Sequence, residues 1–226
     1  MPLLHYVRLW DQASSERVDY FIANSRTTQQ RIKKYYRRDS QVIYPPVDVE
    51  KFTPGKENKG YFLIVSRLSP YKRIDLAVEA FNKLELPLII IGQGPQRKFL
   101  QRLAQKNIKF LGWQPEEKVR QYYQNCQAFI FPGEEDFGIT AVEAMAAGKP
   151  VLAFRKGGVT ETVIEGSTGE FFDDPVPEVL ADGVRRLQRN LKNYDSQVIR
   201  NQVEKFSRQR FEKEIKEFIE SKLPGF

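Results

Sequence analysis

The chain has 226 residues, with 36 Lys and Arg against 29 Asp and Glu for a net charge of +7, and 41% hydrophobic residues including 12% aromatics. That is enough chain for one large or two modest domains with a substantial core, which excludes disordered, collagen-like and low-complexity classes. The positive balance favours anionic partners such as nucleotides, phosphates, nucleic acid or anionic lipid without choosing among them.

The start, MPLLHYVRLWDQ, lacks the basic-then-apolar order of a secretory signal, and no apolar run approaches the ~20 residues of a membrane span, so the chain is read as cytoplasmic. The opening helix carries His5, the single histidine, as a packing or surface residue. Strands are expected at Asp19–Ala23 and Gln41–Tyr44 around a basic helix. Its RIKKYYRR stretch at 31–38 suits a nucleic-acid or membrane surface as well as a plain solvated face. Residues 1–44 are too few to bury a sheet of their own and read as the closing elements of another domain, expected to dock loosely or to expose apolar surface. The Pro- and Gly-rich stretch at 45–60 reads as an interdomain linker.

From Tyr61 the pattern changes to short strands that are apolar nearly throughout, as expected for parallel strands covered on both faces. They fall at Tyr61–Ser66, Pro87–Ile91, Ile108–Leu111, Ala128–Phe131, Val151–Phe154 and Glu170–Phe172. Helical spacing at Ile74–Leu84, Gln96–Lys106, Glu116–Asn125 and Ile139–Ala147 alternates with them. This predicts a doubly wound, mainly parallel α/β sheet of Rossmann-like type over 61–195. Helices follow over 196–226, the last capped by Ser207 with Phe211, Ile215, Phe218 and Ile219 on one face. Cys126, the lone cysteine, lies at the edge of an apolar strand and reads as packing.

Four strand-to-helix turns hold polar residues where a doubly wound sheet binds ligands. In SRLSPYKR at 66–73, Arg67 and Lys72 flank a helix N-terminus, as a fork and a point charge suited to a diphosphate, or as two solvated cations. In IIIGQGPQR, Gly92 and Gly94 match a dinucleotide fingerprint only in part and serve equally for close backbone approach. In FPGEEDFGITAVEAMAAGKP, Glu135 and Glu143 are too far apart to form a glycosidase pair. They could grip different parts of one extended ligand, or Thr140 and Glu143 could be a capping box. In RKGGVTETV, Gly157 and Gly158 precede Glu161, either cradling a polar ligand or making a tight turn. With one histidine and no Asp-x-Asp triplet, no catalytic metal is expected.

The order SRLSPYKRIDLAVEAF, IIIGQGP, FLGW, FPGEEDFGITAVEAMAAGKPV and GGVTETV resembles the C-terminal, sugar-nucleotide-binding half of glycosyltransferase family 4, retaining enzymes of GT-B fold, over about residues 19–223. The resemblance implies that Arg67 and Lys72 hold the donor diphosphate, that Glu135 lies near the transferred sugar, and that Glu143 binds the ribose. It places the backbone of Phe137, Gly138 and Ile139 at the sugar and phosphate, with Gly92 and Gly94 nearby and Gly112 and Trp113 beside the base. It implies a metal-independent hexosyltransferase whose partners are a nucleotide sugar and an N-terminal acceptor domain, of which residues 1–44 are the remnant. An anionic membrane surface is a further partner the basic helix would suit, and nucleic acid is not expected. Ser66 and Arg73 stand where glycine is frequent in the family, so their side chains must leave the phosphate side. PLLHYVRLWDQASSERVDYFIANS most resembles mannosyltransferase-like members, making GDP-mannose the first donor expected.

Overall fold

Every apolar run marked above forms a strand, in a computed structural model that describes residues 2–55 and 57–222. Met1, Lys56 and residues 223–226, which belong to the expected segments 1–44, 45–60 and 196–226, lie outside the described residues. Phe21–Ala23 (β1) and Ser40–Val42 (β2) pair in parallel around the helix Arg26–Tyr36 (α2), a small βαβ unit preceded by Pro2–Ser15 (α1). The main sheet has six parallel strands: Phe62–Val65 (β3), Leu88–Ile91 (β4), Ile108–Gly112 (β5), Ala128–Phe131 (β6), Val151–Phe154 (β7) and Gly169–Phe172 (β8). Their order, β5-β4-β3-β6-β7-β8, reverses direction between β3 and β6, which makes the carboxyl ends of those two strands the switch point of a doubly wound sheet.

Alternation along the strands feeds two cores. Leu63, Phe129 and Phe131 face a cluster completed by Tyr123, Met145 and Phe206, whereas Phe62, Ile64 and Ile130 face Phe81, Leu100 and Leu187 on the other side. Helices Ile74–Leu84 (α3), Arg97–Leu103 (α4) and Pro177–Asn190 (α7) cover the second face. Glu116–Asn125 (α5), Ile139–Ala146 (α6) and Ser196–Val203 (α8) cover the first. α4 ends at Leu103 rather than Lys106, because the Asn82 side chain donates to the Leu103 carbonyl (2.8 Å) and accepts from Gln105 N–H (2.9 Å), so local side-chain bonding replaces the helical turn. Burial pushes the Cys126 thiol up to about 12, which leaves it a packing group.

Residues 1–44 dock more specifically than expected. The Glu161 carboxylate accepts the N–H groups of Arg26 (2.9 Å) and Thr27 (3.2 Å) at the start of α2, and also the Tyr44 hydroxyl (3.0 Å). A carboxylate there meets unpaired N–H donors and the positive end of the helix dipole. The final helix, Arg208–Lys222 (α9), is capped by Ser207 and lays Phe218 against Tyr20, with its Arg210 donating to the Tyr44 carbonyl. The expectation of exposed apolar surface holds for α1, where Leu3, Tyr6, Val7 and Trp10 are exposed, as is His5. The stretch 45–55 is pinned: Val47, Val49 and Phe52 are buried, and Val47 N–H donates to the Phe206 carbonyl (2.9 Å). Among the described residues no helix is long and apolar enough to cross a membrane.

Candidate active site

A cavity of about 520 Å³ opens at the switch point. The loop after β3 supplies Ser66, Arg67, Tyr71 and Lys72. The loop after β6 and the start of α6 supply Glu134 to Thr140, and the N-terminal unit contributes Asn24, Arg31 and Pro45.

Local sequence explains how each group reaches the cavity. Ser69 and Pro70 open a single 3-10 turn over Pro70–Lys72, and Arg73 then adopts a left-handed conformation (φ +51°) before α3 begins. Glycine usually fills such a position because a side chain there is strained. The Arg73 guanidinium turns to Asp75 (3.5 Å) and the Pro175 carbonyl (3.5 Å), outside the cavity lining, whereas Ser66, expected to turn away with it, remains in that lining. Gly138 (φ +91°) caps α6, whose first N–H groups therefore face the cavity without a side-chain cap. This corrects the capping-box expectation. Thr140 lies inside the helix and Glu143 points across to α5, where it accepts from the Tyr123 hydroxyl (2.9 Å).

Lys72 and Glu135 form an ion pair, with side chains only 14% and 24% exposed. Arg67 is exposed and makes no ion pair among the described residues, so its guanidinium is available to an incoming anion. Phe137 lines the cavity but buries its ring between Tyr44 and Phe206, so the backbone is what it offers there, whereas Ile139 presents an exposed side chain.

Glu143 lines a neighbouring cavity of about 230 Å³, which shares Ile139 with the first and is walled by Pro46 to Asp48, Lys51, Phe52, Glu116 and Arg208. Burial pushes its carboxyl up from the usual 4.5 to about 7, while the Tyr123 hydrogen bond pulls the other way.

The glycines hold neighbouring loops against one another. A methyl on Gly92 would strike the Ser66 carbonyl and one on Gly94 the Leu68 carbonyl. Methyls on Gly157 and Gly158 would strike the carbonyls of Glu135 and Asp136. Gly158 N–H donates to the Glu135 carbonyl (2.8 Å). These four glycines therefore brace the loops that carry Arg67 and Glu135 and line neither cavity. Gly112 and the 68%-exposed Trp113 also stand outside both cavities, at the end of β5 next to the Arg97 guanidinium. Glu161 ends a 3-10 turn over Gly158–Glu161 and serves α2, as described above.

Sequence reasoning missed Arg31, which bridges Glu134 (2.7 Å) and Asp136 on either side of Glu135. It sat unremarked in the basic run at 31–38, and nothing in its spacing distinguishes it from its solvated neighbours Lys33 and Lys34. Tyr123 was also missed. Among the described residues, no group of three His, Cys, Asp or Glu side chains is arranged to hold a metal.

The family described as glycosyl transferases group 1 matches residues 47–220. The chain is 30% identical over 76% of its length to an uncharacterized glycosyltransferase of Methanocaldococcus jannaschii, of which it covers 50%. It is 29% identical over 63% of its length to a GDP-mannose-dependent phosphatidylinositol monomannoside mannosyltransferase of Mycolicibacterium smegmatis, of which it covers 45%. An Anabaena protein solved in complex with UDP-glucose superposes with a TM-score of 0.80 at 23% identity, over 90% of this chain and 64% of that one. The chain thus spans about half the length of the curated relatives it matches.

Proposed function

This chain belongs to the group 1 glycosyl transferases, and from that premise we propose that it is the donor-binding half of a retaining hexosyltransferase, which moves a hexose from a nucleotide sugar to a glycan or lipid-linked acceptor. The observation that carries the reading is the convergence of Arg67, Lys72, Glu135 and the uncapped start of α6 on one switch-point cavity. In transfer the bond between the anomeric carbon and the diphosphate breaks, and negative charge develops on the diphosphate. Arg67, Lys72 and the α6 N–H groups would offset that charge in place of a metal, a term that dominates many such barriers. Glu135 would lie beside the sugar and Glu143 would accept from the ribose hydroxyls, with Gly112 and Trp113 beside the base.

Residues 61–195 form the donor unit in this reading. Residues 1–44 belong to an acceptor domain joined through 45–60, and that domain would deliver the acceptor to the face the diphosphate leaves, giving retention. GDP-mannose is the first donor to test, favoured by the resemblance of residues 2–25 and by the mannosyltransferase relative. UDP-sugars come next, because the Anabaena neighbour was solved with one. Exposed Lys33 and Lys34 on α2 and Arg37 at its C-terminus support contact with an anionic membrane surface at the cytoplasmic face. A second reading, a nucleotide-sugar-binding module without transfer, is favoured by how little residues 1–45 add to the cavity lining, which is Asn24, Arg31 and Pro45.

Thermal scans against nucleoside diphosphates and nucleotide sugars test the reading, since a ligand at 100 times its Kd stabilises by about 2.7 kcal/mol. We expect stabilisation by one nucleotide family, little sugar transfer by the chain alone, and turnover once an opposing acceptor half is added. The absence of stabilisation by any nucleotide would overturn the proposal. Sustained transfer of radiolabelled sugar by this chain alone, lost in Glu135→Ala, would overturn the assignment as a donor-binding half.

A further inference from the structure

The Glu143 carboxylate is gripped from behind. Tyr123 is fully buried, its ring fixed by Phe52 (5.8 Å, edge-on) and Phe129 (5.5 Å), and its hydroxyl donates to Glu143 Oε2 at 2.9 Å. Oε1 takes no hydrogen bond from the described residues and is not sealed from solvent. A buried tyrosine hydroxyl with one partner has little freedom, so the direction of that bond fixes the carboxylate's rotation about its last torsion. We infer that Tyr123 is a positioning residue for nucleotide binding, holding one oxygen of Glu143 so that the other meets the vicinal hydroxyls of a ribose. The inference rests on the proposed function, in which Glu143 is the ribose acceptor.

Other charged groups face Glu143 more loosely. Glu116 of α5 raises its proton affinity, and Asp48, Lys51 and Arg208 line the same cavity but are engaged with one another. Arg200 of α8 is occupied by the carbonyls of Phe52 and Ala146. Tyr123 is the one side chain among the described residues that donates to the carboxylate. Its hydroxyl favours the ionised form, which is also the better acceptor for two ribose hydroxyls.

The test is calorimetric titration of the 226-residue chain with GDP and UDP and their 2′-deoxy counterparts, for wild type, Tyr123→Phe, Glu143→Gln and the double variant. We expect Tyr123→Phe to weaken the ribonucleotide three- to tenfold and the deoxynucleotide less, and to move the alkaline rise of affinity to higher pH. In the Glu143→Gln background the same change should have a smaller effect, because the amide carbonyl still accepts from Tyr123 but presents no charge to the ribose, and coupled partners are not additive. An unfolded fraction lowers both affinities alike, so the ribo-to-deoxy ratio keeps its meaning even in a destabilised variant. An unchanged ratio and pH profile in Tyr123→Phe, or a full additive loss in the double variant, would overturn the inference while leaving Glu143 its role. Unchanged affinity in Glu143→Gln would instead overturn the ribose assignment itself, and the inference with it.

Discussion

Lys72 and Glu135 reach each other from opposite sides of the switch point, one from the turn after β3 and the other from the loop after β6. Gly133 allows it, because any side chain there would meet the Lys72 backbone. Of the cations that line the cavity, Lys72 and Arg31 are each paired with carboxylates, whereas Arg67 is in no ion pair among the described residues.

Arg67 and Lys72 should therefore not behave alike. Arg67→Ala removes a charge-assisted contact worth about 1.5–3 kcal/mol, roughly tenfold or more in affinity for a nucleoside diphosphate. Lys72→Ala should cost more, because it also leaves Glu135 uncompensated beside the diphosphate, and Lys72→Ala with Glu135→Gln should recover part of the loss. Titration with nucleoside and nucleoside diphosphate checks this. Equal losses for both ligands would remove the diphosphate assignment.

Glu143 should make stability fall with rising pH. Its folded carboxyl holds a proton up to about 7, whereas the unfolded chain releases it near 4.5. The native state therefore binds more protons across that window. The advantage is fully present below pH 4.5 and is lost by about pH 7, on the order of 3 kcal/mol. Glu143→Gln should raise the melting temperature at pH 8 and change it little at pH 5. A constant difference across pH would show that the carboxyl titrates normally.

Glu161→Ala should release α2 without unfolding the main sheet. It deprives two helix N–H groups and the Tyr44 hydroxyl of their acceptor, a loss of about 1–2 kcal/mol by analogy with helix caps. Hydrogen exchange should accelerate in residues 26–36 and remain slow in β3 and β6. Unchanged protection of α2 would mean that Arg31 and the packing of α2 on β1 and β2 hold it alone.

Gly157→Ala should disturb the ligand site from behind. The left-handed backbone (φ +79°) costs about 1–3 kcal/mol for a side chain, and the new methyl strikes the Glu135 carbonyl. Both melting temperature and diphosphate affinity should fall. A fall in stability alone would show that the loop carrying Glu135 tolerates displacement.

The main sheet was legible because its strands are continuous apolar runs, such as FLIV at 62–65 and LIII at 88–91, separated by helices of clear period. Arg67, Lys72 and Glu135 were legible because they sit in turns at strand ends, where a doubly wound sheet leaves its ligand crevice. What could not be read was contact at long range. The partnership of Arg31 with Glu134 spans 103 positions and that of Arg26 with Glu161 spans 135, and no local spacing encodes either. Thr140 and Glu143 had the spacing of a capping box, but Gly138 caps the helix two residues before the position that motif needs, which leaves Glu143 to Tyr123.

The glycines also determine where this site can change. Gly92 rests on Ser66, Gly94 on Leu68, Gly133 on Lys72, and Gly157 and Gly158 on Glu135 and Asp136, each contact being backbone on backbone. Loop placement thus rests on backbone contacts as well as on the Lys72–Glu135 pair, and Tyr71, Ile139 and Thr140 take no part in either. These three can be exchanged to suit a different ligand while the loops keep their register. Inserting a single residue into any one loop would shift those stacked on it. Substitution at the cavity-facing positions leaves these backbone contacts in place, whereas a change of loop length moves them.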